Sequence, residues 1–434
     1  MRKIVFFVQT RKAIGGSQIQ FLDFAAYITK HFGYETYYIN HPHPLVEEQY
    51  KDSGIIFLDV DNCDYSQFED AVFFTPINYL FYLLVKIEKL RNAKIYLYIY
   101  HPEVLTWLLV QFYDWRKDND QLEKLFRLLL NTKAYCFMDL SNYLSMKRRI
   151  DLPWEERYIP VTIHNEIKDL IDETQSTRII DDDEPLQIGW MGRLDNDKIY
   201  SILNAADNLI GIQNGRKVDF HLIGDGNAKA KLSITKYSPQ IRFIFNSYLY
   251  GEERDAYIKN NIDVMIAMGI SAIDSAMLEI PTVIPIVSPK AFWSNMFVYI
   301  QDIKKYSLGW NIQDAEKIGC VTHTIQDIVE TVYNGKKEQI GREGRKFCID
   351  SFSLASASNM LVKQLEETEL TVEKCLEIPI VKKQLNDYKL YKKIRPMRDY
   401  SNFHEFVVRT NRFKEKNTKE KVKFVISKLK KIKR

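Results

Sequence analysis

Short apolar runs rich in Val, Ile, Phe and Tyr alternate along the chain with segments in which apolar residues recur every three or four positions. The runs are typical of buried strands, and the segments are typical of amphipathic helices. The clearest example is a strand over residues 3–8, followed by a turn at Gly15-Gly16 and a helix that Gly33 ends. This alternation predicts parallel sheets built from βαβ units.

The alternation occurs twice, and a polar stretch over residues 172–185 separates the two occurrences. We therefore predict two Rossmann-like domains, over residues 1–165 and 186–370, joined by a linker over residues 166–185. A helical return segment over residues 371–408 and a tail over residues 409–434 follow them. Because 434 residues exceed what one hydrophobic core usually serves, the chain length also favours two domains.

The strands of each domain are predicted from the apolar runs. In the first domain they cover residues 3–8, 36–39, 55–58, 71–74, 94–100 and 134–138. In the second domain they cover residues 187–190, 218–223, 241–245, 263–267 and 282–286.

The cysteines and the apolar segments favour a cytoplasmic protein. The five cysteines are scattered without any Cys-x-x-Cys spacing, so neither a disulfide framework nor a zinc site is indicated. The first apolar run is too short for a signal peptide, and no stretch is apolar enough to span a bilayer.

Candidate chemistry begins after the first strand of the second domain. Gly192-Arg193-Leu194 directly follows that strand, and Lys198 stands at the start of the next helix. Two cations and a free helix N-terminus suit the binding of a diphosphate.

Two later segments follow strands of the same domain. Gly224-Asp225-Gly226 would let the backbone approach a ligand at the carboxyl edge of the sheet. The other segment combines a glycine with a helix start that carries a carboxylate suited to a ribose diol. Its residues are Gly269, Ser271, Ala272, Ile273 and Asp274.

In these segments the sequence resembles the retaining GT-B glycosyltransferases of family four, over about residues 3–365. That family has Gly-Arg-Leu with a following Lys, then Gly-x-Gly, then Leu-Glu-Ala-Met-Ala-x-Gly-x-Pro, which residues 273–281 match in part. The resemblance implies an α/β GT-B fold with two facing Rossmann-like domains and a helical C-terminal extension. It also implies a nucleotide-sugar donor and retention of anomeric configuration.

The resemblance assigns roles to individual residues. Arg193 and Lys198 would hold the donor diphosphate, and Asp274 would hold the ribose. Gly15 and Gly16 would face the acceptor and the donor phosphate. His101, at the end of a first-domain strand, would lie near the transferred sugar.

The chain departs from the family pattern at three positions. Ile266 stands where the first of two glutamates is expected, Asp274 replaces the second, and Glu279 replaces a glycine. Purely structural roles are the alternatives for two of these residues. The Asp274 carboxylate would also interact favourably with the dipole at the helix N-terminus, and His101 would also fill a gap at a strand end.

No essential metal and no cofactor are expected. Asp59-Val60-Asp61 imitates a metal-binding Asp-x-Asp, but its position after a strand favours turn chemistry. No P-loop or Gly-x-Gly-x-x-Gly fingerprint is present.

These features together predict a glycosyltransferase. It would move a sugar from a nucleotide-diphosphate sugar to a glycan or lipid-linked acceptor in cell-surface polysaccharide or glycoconjugate synthesis. The alternative is a non-catalytic GT-B partner that supports another glycosyltransferase, motivated by the missing first glutamate. A sugar-nucleotide epimerase is less well supported, because no set of paired carboxylates and histidines suits elimination chemistry.

The tail over residues 409–434 carries twelve basic residues against two acidic ones. Five of its apolar residues fall on one helical face: Val422, Val425, Ile426, Leu429 and Ile432. Such a helix suits an anionic membrane surface and predicts peripheral attachment to the inner face of the cell membrane. A solvated terminal helix and a nucleic-acid patch are the alternatives, and no nucleic-acid partner is expected.

Deleting residues 409–434 should therefore abolish sedimentation with anionic vesicles, because each basic residue near such a surface contributes on the order of 1 kcal/mol. Vesicles of neutral lipid are the control, and neither protein should sediment with them. Unchanged sedimentation of the truncated protein with anionic vesicles would reject membrane attachment through the tail.

Overall fold

The structure is a computed structural model. It describes residues 3–8, 16–102, 104–109, 119–163, 184–196, 198–212, 216–227, 229–232, 237, 240–247, 249–317 and 319–394. Most of the predicted linker and the whole basic tail lie outside these residues. The described chain divides into two compact units. Unit 1 takes the residues up to Phe137, Ser145–Arg157 and those from Met360 onwards, and unit 2 takes Met138–Leu144 and Tyr158–Asn359.

Unit 1 is built on a parallel sheet of six strands in the order β3-β2-β1-β4-β5-β6. The strands are β1 Lys3–Phe7, β2 Glu35–Asn40, β3 Ile56–Asp59, β4 Val72–Pro76, β5 Lys94–Ile99 and β6 Tyr135–Phe137. Each strand predicted for the first domain is present, with its ends shifted by a residue or two.

The helices of unit 1 include α1, which packs an aromatic face onto this sheet. Phe21 stacks on Phe74 of β4 at a centroid distance of 4.7 Å and meets Phe6 of β1 edge-on at 5.9 Å. Gly33 follows the helix with a φ of 68°, a conformation that favours glycine. The helices that precede β7 in the chain are α1 Gly16–Phe32, α2 Pro44–Gln49, α3 Leu80–Ile87, α4 Val104–Leu109, α5 Asn119–Asn131 and α6 Leu140–Arg149, whose first residues belong to unit 2.

Unit 2 is built on a seven-stranded sheet in the order β12-β11-β10-β7-β8-β9, with β13 paired to β11. Its strands are β7 Leu186–Met191, β8 Val218–Ile223, β9 Ile241–Asn246, β10 Val264–Ala267, β11 Thr282–Val287, β12 Phe297–Tyr299 and β13 Trp310–Asn311. Only β12 is antiparallel to its neighbour. Counted from its own first strand, unit 2 repeats the strand order of unit 1, and the order reverses between β7 and β10.

Both faces of the unit 2 sheet are buried against helices. Trp190 and Ile266 contribute to the core on one face, with α7. Met265 and Ala267 contribute to the core on the other, with α9. The helices are α7 Ile199–Ile210, α8 Gly251–Asn261, α9 Ile270–Met277, α10 Ile325–Thr331, α11 Lys337–Phe352 and α12 Leu354–Glu367.

The chain returns to unit 1 within α12. The sequence placed this return after residue 370, whereas in the structure residues from Met360 onwards belong to unit 1. The amide of Ile95 donates to Leu370 O at 2.9 Å, and the amide of Val372 donates to Ala93 O at 2.9 Å. The return segment, which continues with α13 Val372–Glu377 and α14 Pro379–Ile394, is thus tied to β5 of unit 1.

Within the described residues, no helix combines the length and the apolar character needed to cross a membrane.

The end of α9 contains a strained residue. The amide of Ile280 donates to Ser275 O at 3.3 Å and that of Glu279 to Ala276 O at 2.9 Å, which is the Schellman arrangement. Glu279 therefore adopts a φ of 61°, where glycine is usual and a side chain costs about 1 to 2 kcal/mol. This left-handed conformation explains why the family has a glycine at the position that Glu279 occupies.

Glu279→Gly should raise the free energy of unfolding by about 1 kcal/mol and the Tm by roughly 2 to 4 °C. Glu279→Ala is the matched control, because it removes the carboxylate 3.8 Å from Arg345 but keeps the backbone strain. Thermal unfolding measures both variants. Equal melting temperatures for the two would contradict this account of the strain.

Candidate functional site

The loops that follow β7 and β8 are bonded to each other beyond the ends of the strands. The amide of Gly192 donates to Ile223 O at 3.0 Å, and the amide of Leu194 donates to Asp225 O at 3.0 Å. The two loops thus continue the sheet at its carboxyl edge. This edge, beside the point where the strand order reverses, is where open α/β sheets bind ligands.

Gly224 and Gly226 permit this close approach. A β-carbon on Gly224 would overlap the carbonyl oxygen of Gly192, and one on Gly226 would lie 2.5 Å from Leu194 O. Gly224 also has a φ of 138°. Gly224 and Gly226 therefore make room for the neighbouring loop, whereas the sequence analysis expected them to make room for a ligand. Asp225 between them is exposed, and its carboxylate accepts the amide of Gly226 at 2.8 Å.

The structure brings Lys198 and Ser271 together beside Gly192. Lys198 immediately precedes α7, and Ser271 lies in the first turn of α9. Lys198 Nζ lies 3.9 Å, and Ser271 Oγ 4.0 Å, from the position that a β-carbon would take on Gly192. A cation and the N-terminus of a second helix therefore meet at one point of the edge, as an anion requires.

Arg193 lies farther out. Its side chain is 70% exposed, and Nη1 donates to Asp195 Oδ2 at 2.9 Å. An exposed ion pair of this kind contributes little to stability. Exchanging Asp195 for a ligand phosphate would therefore cost little.

The start of α9 depends on Gly269. This residue has φ 62° and ψ −143°, and its amide donates to Leu308 O at 2.9 Å. Ala272 and Ile273 are buried, and the amide of Ala272 donates to the carbonyl of Gly269 at 3.0 Å. Their side chains serve the core, so of the predicted residues in this turn Ser271 offers the polar side chain.

Asp274 is paired with a residue that the sequence analysis missed. Arg254 of α8 donates from Nη1 to Asp274 Oδ2 at 3.1 Å and from Nε to Asp255 Oδ1 at 2.7 Å. This pairing orients the Asp274 carboxylate, which is one-third exposed. No local pattern signals it, because the two partners lie on different helices.

Ile266 is a core residue. It is fully buried in β10, opposite Trp190 on one side and Val283 on the other. Only Met268 and Gly269 separate β10 from α9. The position at which the family pattern requires its first glutamate is thus inside the sheet, where an unpaired carboxylate would be very costly.

Of the first-domain candidates, the structure describes Gly16 and His101, which both follow strands at the carboxyl edge of the unit 1 sheet. Gly15 lies outside the described residues, and Gly16 is the exposed first residue of α1. His101, exposed beyond the end of β5, accepts the amide of Val104 at its carbonyl at 3.0 Å.

Among the described residues, one group has ligand atoms close enough to hold a metal ion: those of His41, Asp59 and Asp61 lie within 4.8 Å of one another. The Asp59 carboxylate accepts from the amide of Asp61 at 3.1 Å and from Asn62 Nδ2 at 2.5 Å. Lys86 Nζ lies 3.4 Å from Asp61. These contacts are those of a turn with a neighbouring cation.

No family model and no curated protein matches the sequence. Solved structures do resemble the chain. A glycosyltransferase from Rickettsia africae has a TM-score of 0.52 at 13% identity and covers 84% of this chain and 98% of its own. Alr3699/HepE of Anabaena in complex with UDP has a TM-score of 0.51 at 10% identity, with 84% and 100% covered. The lipopolysaccharide outer core galactosyltransferase WaaB has 0.51 at 12% identity, with 84% and 99% covered.

Likeness at such low identity shows the fold. With the two Rossmann-like units described above, it confirms the predicted α/β fold of the GT-B class.

Gly224→Ala should destabilise unit 2 by about 3 kcal/mol or more, because the backbone of the two loops must separate to admit the methyl group. Gly211→Ala is the control, since its β-carbon would meet only Asn208 O at 3.4 Å and its φ is −76°. Chemical denaturation of both variants provides the comparison. Stability of Gly224→Ala equal to the control would show that the loops do not need this contact.

Proposed function

We propose that the protein is a glycosyltransferase that uses a nucleotide-diphosphate sugar. The supporting observation is the meeting of Lys198 and Ser271 beside Gly192, at the reversal of strand order in unit 2. The likeness to a structure that holds UDP suggests UDP as the first nucleotide to test. The acceptor in this proposal is a glycan or a lipid-linked glycan of cell-surface polysaccharide or glycoconjugate synthesis.

The leaving group determines the roles of the cations. As the bond to the sugar breaks, negative charge grows on the diphosphate, so groups that already point at it lower the barrier. Lys198 and the first turn of α9 would act on this charge directly. Arg193 would add a second cation once a phosphate oxygen replaces its contact with Asp195.

The remaining roles follow the family resemblance. Asp274 would accept hydrogen bonds from the ribose. His101 would contact the transferred sugar, and transfer would retain the anomeric configuration. These roles concern binding and orientation, whereas the cations act chiefly in the transition state.

Ile266 favours a second candidate function. With a buried aliphatic residue in place of the first glutamate, the chain would bind the nucleotide but support another glycosyltransferase without catalysing transfer. The two candidates differ in turnover. Release of UDP from a UDP-sugar by the purified protein supports the enzyme, while binding of UDP without any release supports the partner.

Lys198→Ala should lower the efficiency of UDP-sugar hydrolysis by roughly ten- to a hundredfold, the worth of one hydrogen bond to a charged group. Arg193→Ala should have a smaller effect, because its guanidinium is more exposed and shared with Asp195. Asp274→Asn should chiefly raise KM, because a ribose contact is equal in the ground and transition states. Steady-state UDP release measures all three.

The exposed Lys290 of unit 2 provides the control, and Lys290→Ala should behave like the wild type. If the folded Lys198, Arg193 and Asp274 variants all matched that control in hydrolysis and in UDP binding, the donor site would lie elsewhere.

A further inference from the structure

Trp190 carries a polar group that nothing in the described chain satisfies. The side chain is fully buried in β7, and its indole nitrogen Nε1 has no hydrogen-bond partner among the described residues. Buried donors are nearly always paired, because an unpaired one forfeits its bonds to water. An unsatisfied N–H in the core of a sheet therefore needs an explanation.

The position of the indole nitrogen provides one. Nε1 lies 3.8 Å from the position that a β-carbon would take on Gly192, the same point that Lys198 Nζ and Ser271 Oγ approach. These three polar atoms are the nearest heavy atoms to that point outside the adjoining chain. Gly192 has a φ of 144° and is itself partly exposed, and we call the space around this point the recess.

The chemistry of the recess is that of hydrogen-bond donation. An indole N–H and an ammonium group have no acceptor capacity, and a serine hydroxyl can donate. The N-terminus of α9 adds a positive potential. These groups would repel a cation, whereas an oxyanion could accept hydrogen bonds from them.

We propose that Trp190 binds the donor diphosphate, with its indole N–H donating to a non-bridging phosphate oxygen seated beside Gly192. This inference rests on the proposed function, which supplies the diphosphate. It adds a neutral donor, buried within the sheet, to the cationic contacts. It also explains Gly192, since any side chain there would fill the recess.

The indole N–H signals of the wild-type protein provide a direct test. The chain has six tryptophans, which 15N labelling resolves, and Trp190→Phe identifies the Trp190 signal by its absence. If that variant does not fold, Trp→Phe changes at the other tryptophans identify the signal by elimination. Inorganic pyrophosphate and UDP should each shift the Trp190 signal, whereas uridine should leave it in place.

Affinity gives the second readout. Trp190→Phe keeps the ring in the core but removes the N–H, so its affinity for UDP should fall about tenfold, with the affinity for uridine unchanged. Trp310→Phe, at another buried tryptophan of unit 2, is the matched control and should bind UDP like the wild type.

The failures of the two proposals are distinguishable. Suppose that UDP binds the wild type, does not shift the Trp190 signal, and binds Trp190→Phe with the same affinity. The role of Trp190 is then refuted and the proposed function stands. An equal shift with uridine would also refute it, because the indole would then report a general change. If neither UDP nor pyrophosphate binds the wild type, the proposed function fails as well.

Discussion

The backbone contact between Gly224 and Gly192 is the constraint on which the candidate site depends. There is no room for a side chain between the two loops, and hydrogen bonds continue between them past the ends of β7 and β8. The loop after β7 is thereby held as an extension of the sheet. Lys198, just before α7, and Ser271, in the first turn of α9, both approach one point beside the Gly192 that this contact holds in place.

The site separates two tasks. Hydrogen-bond donors suited to a phosphate lie beside Gly192. The Asp274 carboxylate, which Arg254 orients, lies one turn farther along α9. The family pattern adds a glutamate that orients the sugar, but β10 runs almost directly into α9 and places Ile266 in the core. The proposed nucleotide site therefore lacks the carboxylate that the family pattern has at this position.

The sequence predicted the strands well, because runs of β-branched and aromatic residues fit a sheet that helices cover on both faces. It also predicted the fold class and selected Lys198 and Ser271, since both follow strands. Contacts between residues that are distant in sequence could not be predicted from local patterns. Arg254 contacts Asp274 from another helix, and the orientation of Trp190 depends on packing. The return to unit 1 at Met360 was missed because α12 runs through it without a break in its pattern.

A crystal structure of the protein with bound UDP tests the central claim most directly. The account predicts a phosphate oxygen beside Gly192, within hydrogen-bond distance of Lys198 Nζ and Ser271 Oγ, with the ribose toward Asp274. A nucleotide bound elsewhere, or one whose phosphates leave the recess beside Gly192 empty, would contradict it.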